Sequence, residues 1–232
     1  MTMCLPVLAI PAAEQPAKSP VIVIGFLGGY LSPNNSIHGG VQIAAHLRED
    51  YPAGVNVEVF ENHRGEDAHR EVLHLLDINH DGKLSTEAKQ SARIIIYGHS
   101  WGGSETVTLA RKLQSDGIPV LLAIQVDSVA KAGEDDSLIP ANVLQAANFY
   151  QSDGLLHGRS EIHAADPSRT QIIENRRFDY ATNPVRCDGY PWYARAFEKP
   201  HIEIECDPKV LNRVESLIRS KLPPPAPRTA QR

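Results

Sequence analysis

Ile94-Ile95-Ile96-Tyr97-Gly98-His99-Ser100-Trp101-Gly102-Gly103 decides how the rest of this chain is read. Four apolar residues, three of them β-branched, make a short run suited to a buried strand. The run stops at Gly98, and the apolar helical spacing of residues 104–114 begins six positions later. A strand that turns sharply into a helix brings neighbouring backbone close, so small residues are required at Gly98 and Gly102. Such a turn lifts the Ser100 hydroxyl above the sheet edge, where a base can reach it, and G-x-S-x-G in this context is the signature of a nucleophilic serine. Trp101 N–H then sits at a helix N-terminus and is aimed where a developing oxyanion would need a donor.

Outward from this stretch, strand and helix signals alternate. Val21 to Ile24 is a β-branched run ending at Gly25, residues 40–49 carry apolar residues at helical spacing, Val55 to Phe60 alternates like a strand, and residues 67–76 read as a helix. Beyond the serine, Val120 to Val126 and Ala147 to Gln151 are strands, Ile162 to Ala164 and Thr170 to Ile173 are further short strand candidates, and residues 209–222 form an amphipathic closing helix. Helices between strands imply a mostly parallel sheet covered on both faces. The expected fold is therefore an α/β sandwich over residues 21–222, with no sizeable lid domain. Residues 1–20 are read as a leader or the remnant of an export signal; they lack a basic start and are interrupted by Pro6 and Pro11. Pro223 to Pro227 ends the closing helix, and residues 223–232 read as a disordered tail.

With 232 residues and a net charge of −5, and with Lys and Arg scattered, nothing marks a nucleic-acid surface. The apolar runs are strand-sized, too short to span a membrane. Cys187 and Cys206 either form a disulfide, which would close the loop carrying His201 and suit a secreted or periplasmic protein, or remain two buried thiols.

A serine hydroxyl needs a general base, and the base needs an orienting carboxylate. Of the histidines after Ser100, His201 lies just before the closing helix in a stretch that Pro200 would stiffen. His157 and His163 come earlier and read as surface residues, and His99 reads as a support for the turn. Two acids compete. Asp127 emerges directly from the apolar strand 121–126, where a carboxylate is costly without a buried partner. Asp153 follows the next strand but sits in a Ser-Asp-Gly turn that gives it a local reason to occur. Asp127 is preferred. The glycine loop Gly25-Phe26-Leu27-Gly28-Gly29, which follows the first strand, offers the Leu27 N–H as a second oxyanion donor. It lacks the spacing of a phosphate-binding loop.

These features resemble the α/β-hydrolase superfamily of serine hydrolases over about residues 21–222. The segment from Gly98 to Gly103 together with Ile124-Gln125-Val126-Asp127-Ser128 resembles thioesterase domains of nonribosomal peptide synthetases, whose V-D-S-like triplet supplies the acid, which likewise points to Asp127. The Gly25–Gly29 loop and the ending with His201 are similar to small lid-less lipases, with Gly25 where that loop has histidine. The resemblance implies hydrolysis of a small-molecule carboxylic ester or thioester through an acyl-enzyme, with no cofactor required. Acyltransfer, peptide cleavage or a catalytically silent binding protein would use the same frame.

One stretch stands outside this scheme. Asp77-Ile78-Asn79-His80-Asp81-Gly82-Lys83-Leu84-Ser85 matches the first nine positions of an EF-hand loop, with Asp77, Asn79 and Asp81 as oxygen ligands. Ala88 stands where the bidentate acid belongs. The stretch is therefore either a structural calcium site or an Asx-rich turn with Ser85 capping a short helix.

Overall fold

The computed structural model describes residues 20–192 and 199–225. The expected leader (apart from residue 20) and the end of the proline tail lie outside these residues. In chain order the elements are β1 (Val21–Leu27), α1 (Gly39–Asp50), β2 (Val55–Glu61), α2 (Gly65–Leu76), α3 (Thr86–Gln90), β3 (Arg93–His99), α4 (Trp101–Ser115), β4 (Val120–Val126), β5 (Leu138–Ile139), β6 (Val143–Tyr150), β7 (His163–Ala164), β8 (Gln171–Arg177), α5 (Lys199–Cys206) and α6 (Pro208–Arg219).

The main sheet has six strands in the order β2-β1-β3-β4-β6-β8, and every pairing is parallel. Strand alternation divides the core in two. Val21, Val23, Ile95, Tyr97, Leu122 and Ile124 face α1 and α6, packing on Ile43, Leu47, Val210 and Val214. Ile22, Ile24, Ile94, Ile96 and Ala123 face α2 and α4, packing on Val72, Leu76, Val107 and Leu113. Burial of each such large aliphatic side chain is worth about 1.5–3 kcal/mol, and both faces need covering because a parallel sheet of β-branched residues has no polar side. The expected αβα sandwich is the fold observed, and no lid domain covers it among the described residues.

Two sequence readings shift, and one alternative left open is decided. Of the late strand candidates, 170–173 becomes the edge strand β8, whereas 162–164 supplies β7, which pairs with β5 in a separate two-stranded sheet. The stretch around His201 is helical, not a loop. Pro200 sits in the first turn of α5, where its missing N–H is no loss, so proline here marks a helix start. Cys187 and Cys206 are bridged, with Cα atoms 5.8 Å apart, which ties the end of α5 to the segment before it.

The chain runs from β1 out to β2 and then crosses back to β3 on the other side of β1. Such a reversal opens a crevice at the carboxyl ends of β1 and β3, where ligands bind in open α/β sheets. Ser100 follows β3 at this point. The turn demands glycine on steric grounds: a Cβ at Gly98 would stand 2.2 Å from Gly102 O, and one at Gly102 would stand 2.3 Å from Phe26 O. Backbone is in the way in both cases and cannot swing aside. Gly102→Ala is expected to cost about 3 kcal/mol, a loss of roughly 6–12 °C in melting temperature for a chain of this size. A melting temperature within a degree of wild type would contradict this packing.

Candidate active site

Ser100 caps α4 with φ 56° and ψ −127°, a left-handed conformation that L-residues avoid. Strain of this kind costs on the order of 1–3 kcal/mol and persists where surrounding contacts over-determine it. Here Ser100 N–H donates to Val126 O at 3.0 Å, and Ser100 O accepts from Gly103 N at 2.8 Å and Val129 N at 3.2 Å. The turn is thereby bolted to the end of β4, and the hydroxyl is carried to the rim of the sheet.

Asp127 leaves β4 beside it, also at positive φ (44°) and with no exposed surface. Its N–H donates to Phe149 O at 2.6 Å. The carboxylate accepts four hydrogen bonds: Oδ1 from Gly158 N (2.7 Å) and Gln151 N (3.2 Å), Oδ2 from Gln151 Nε2 (2.8 Å) and from His201 Nδ1 (2.6 Å). A buried charge is tolerable only when paired and hydrogen-bonded, and this one is saturated. Because His201 Nδ1–H donates to Asp127, Nε2 is left as an acceptor, and the Ser100 hydroxyl donates to it at 2.9 Å. His201, in the first turn of α5, is buried at 3% exposure.

The structure thus brings Ser100, His201 and Asp127 together in one relay. It does not bring Asp153 there. That carboxylate pairs with Arg177 at 2.9 Å and accepts from Tyr180 N at 2.7 Å, so it braces the loop after β8 instead of serving only its own turn. His157 and His163 are exposed, as expected of surface residues. His99 lies within the turn, as expected: its ring lies against that of His201, tilted by 35° with centroids 4.5 Å apart, and its Nε2–H donates to His201 O at 3.2 Å.

Trp101 is the first residue of α4, so its N–H has no partner within the helix. Leu27 ends β1, and a Cβ on Gly102 would lie 3.0 Å from the Leu27 carbonyl carbon, which places the two backbones side by side. Gly28 lies against Ser100, its Cβ position 2.8 Å from Ser100 Cβ. Asn62 Nδ2 donates to Gly29 O, and Lys131, paired with buried Glu105, donates to Asn62 O, so the glycine loop is tied down from two neighbouring segments.

A cavity of about 690 Å³ opens over Ser100. Its walls include Leu31, Ile37, Val129, Leu156 and Ile202, and the late segment contributes Tyr190 and Pro191. Phe178 and Tyr180 do not reach this wall and pack in the core. Sequence reasoning passed over Gln151 and Gly158, which hold Asp127, and Glu205, which lines the cavity one helical turn after His201. The only sequence signal for Glu205 is that spacing, visible once residues 199–206 are taken as a helix.

The Asp77 loop lies away from this cavity. Asp77 carboxylate oxygens accept from Asp81 N and Gly82 N, Asn79 Nδ2 donates to Asp81, and Ser85 caps α3 through Ala88 N. Among the described residues no cluster of three or more His, Cys, Asp or Glu side chains is placed to hold a metal ion.

No protein-family profile matches the chain, and no curated protein matches it. Solved structures with a similar chain path include a cutinase-like protein from Cryptococcus sp., 12% identical, covering 89% of this chain and 97% of that one, with a TM-score of 0.45. They also include the RedJ thioesterase from the prodiginine biosynthetic pathway in Streptomyces coelicolor, 12% identical, with coverage of 94% and 97% and a TM-score of 0.45. Human thioesterase 2 is 11% identical, with coverage of 87% and 97% and a TM-score of 0.37. Likeness at this level carries no weight beside the strand order and the site geometry.

Burial holds His99 down to about 4, against the opposing pull of Glu205, so the imidazole is neutral at pH 7. The unfolded chain, titrating near 6.5, takes up a proton that the folded protein refuses. His99 therefore lowers stability as pH falls from about 6.5 to about 4 and has no such effect above that window. His99→Gln is expected to lose less stability than wild type across those pH units in urea unfolding. Parallel pH slopes for the two proteins would exclude a buried neutral imidazole at this position.

Proposed function

We propose that this protein is a serine hydrolase that cleaves a carboxylic ester or thioester of a small molecule through an acyl-enzyme intermediate. The observation that carries the reading is the relay Asp127–His201–Ser100, buried and correctly polarised at 2.6 and 2.9 Å, on a strained turn that opens into a cavity.

In this scheme Ser100 Oγ attacks the acyl carbonyl while His201 Nε2 takes its proton. Asp127 stays ionised; it fixes the tautomer and stabilises the imidazolium. The carbonyl oxygen becomes an oxyanion facing the amides of Trp101 and Leu27, with the positive end of α4 behind it. Collapse of the tetrahedral species breaks the C–O or C–S bond, and His201 returns the proton to the leaving group. Water then repeats the sequence on the acyl-enzyme. No metal or cofactor enters these steps, and the Asp77 loop has no part in them.

A fluorophosphonate probe is expected to label Ser100 in the wild type and to leave Ser100→Ala unlabelled. Asp127→Asn, which leaves the imidazole in the wrong tautomer, is expected to lower kcat by about 10⁴. Asp153→Asn breaks only a brace, so its effect is expected on thermal stability and within a few-fold on kcat. Ester and thioester hydrolysis that survives Ser100→Ala would refute the proposal, and equal losses in the two aspartate variants would refute the assignment of the acid.

The Cys187–Cys206 bridge supports a second element of the proposal, residence in an oxidising compartment, since such bonds do not persist against cytosolic reductants. Titration of the native protein with a thiol reagent under denaturing conditions should find neither Cys187 nor Cys206 free. Two reactive thiols at these positions would contradict export.

A further inference from the structure

Beside the relay lies a second polar cluster that the proposed reaction does not use. Glu205 stands four residues after His201 on α5, so both side chains leave the same face of the helix. Its carboxylate is buried, with 3% of the side chain exposed. Oε1 accepts from His38 Nδ1 at 3.0 Å, and His38 Nε2 in turn accepts from Asn35 Nδ2 at 3.4 Å. Oε2 faces His99 Nδ1 at 3.8 Å. His99 has spent its one N–H on His201 O, so its Nδ1 is an acceptor as well. Two buried acceptors therefore confront each other, and neither has a hydrogen bond made to it; the nearby donor, the Tyr190 hydroxyl beside Glu205, gives its hydrogen to Ile37 O.

Such a pair is expensive. An unsatisfied buried acceptor costs about 1–3 kcal/mol, more when it is charged, and in a native structure it calls for a ligand, an ion or a water. Burial alone would push the Glu205 carboxyl up, but the attraction of His99, His38 and His201, which acts once acid protonates them, and the His38 hydrogen bond more than offset this and hold it below its usual value. Its charge is thus retained, while His99 is neutral. Tyr190 adds its polar edge at the same place, with its hydroxyl donating to Ile37 O at 3.3 Å. Glu205, His99, His38, Asn35 and Tyr190 all line the cavity that holds Ser100. One end of an otherwise largely apolar pocket thus carries a net negative charge and two empty acceptor positions.

We propose that this end of the cavity is a subsite for a protonated primary amine on the substrate, received by Glu205 with His99. An ammonium group has hydrogens for both acceptors and the charge that the carboxylate lacks. A hydroxyl has one hydrogen and can serve one of the two, and a water can serve both but leaves the charge uncompensated. The inference rests on the serine-hydrolase reading and narrows it to amine-bearing esters or thioesters.

The test compares kcat/KM at pH 7 for N-acetylcysteamine thioesters and alkyl esters of graded length, each as a set ending in amino, hydroxyl or methyl. One panel carries the variable end on the acyl group and the other on the leaving group, which assigns the side of the scissile bond. The wild type is expected to favour the amino member by about tenfold or more over its methyl partner in one panel, because a site built around a substrate donor rejects the analogue without it. Glu205→Gln is expected to bring that ratio close to one. A wild-type ratio near one at every length overturns the proposal, and so does a preference that persists in Glu205→Gln.

Should Glu205→Gln fail to fold, calorimetric titration of wild-type protein with n-alkylammonium ions and the matching alcohols gives an independent reading. Ammonium binding no tighter than alcohol binding overturns the subsite. A protein that hydrolyses every neutral ester without preferring amines refutes this inference alone. One that hydrolyses none, and whose Ser100 takes no fluorophosphonate, refutes the serine-hydrolase reading first.

Discussion

A carboxylate with no exposed surface governs the geometry of this molecule. Asp127 is driven into the interior by the apolar strand that precedes it, and the cost of leaving its charge unpaired there would exceed that of any other single contact at the site. Three separate segments converge to satisfy it. Gln151 leaves the neighbouring strand β6, Gly158 follows in the next loop, and His201 arrives from α5, 74 residues further along the chain. Each satisfies the charge and is positioned by doing so. The orientation of His201 toward Ser100 is therefore a by-product of satisfying a buried acid.

The two strand ends that carry the acid and the serine are both held at positive φ, 44° and 56°. Strain at either position would relax if its neighbours allowed it. They do not, because each residue is clamped by backbone hydrogen bonds to the adjacent strand: Ser100 N to Val126 O, Asp127 N to Phe149 O. A parallel sheet fully covered on both faces is stiff enough to hold such turns. The few kcal/mol stored at the strand ends are small beside the burial of Ile94, Ile95 and Ile96 directly beneath them.

Much of this was legible in the residues because local and global demands coincide. The β-branched runs, the glycines of the turn and the apolar strand before Asp127 each state their structural role in their own immediate sequence, and the fold and the three relay residues follow from them. What escaped depends on partners distant in the chain. Pro200 suggested a stiff loop, since proline at a helix start and proline in a loop look alike until the following residues are known to pack. Asp153 had an adequate local explanation in its turn, yet its carboxylate serves Arg177 and Tyr180 N. Leu27 was chosen by its place after the first strand, while the contact that brings Gly28 against Ser100 depends on how two strand ends meet.

Two buried carboxylates stand on either side of His201, and they are satisfied to different degrees. Asp127 accepts four hydrogen bonds and has nothing left to offer a ligand; it serves one fixed tautomer of one imidazole. Glu205 has one oxygen committed to His38 and the other facing a nitrogen that cannot donate. If Glu205 merely supported the fold, selection for stability would favour a glutamine there, since a carboxamide could donate to His99 Nδ1 and remove the buried charge. A charge kept half-paired in a cavity wall makes physical sense when something from outside the chain completes it. Asp127, with no exposed surface, is closed off from the cavity and holds one imidazole in place, whereas Glu205 lines the cavity wall with one oxygen still unpaired.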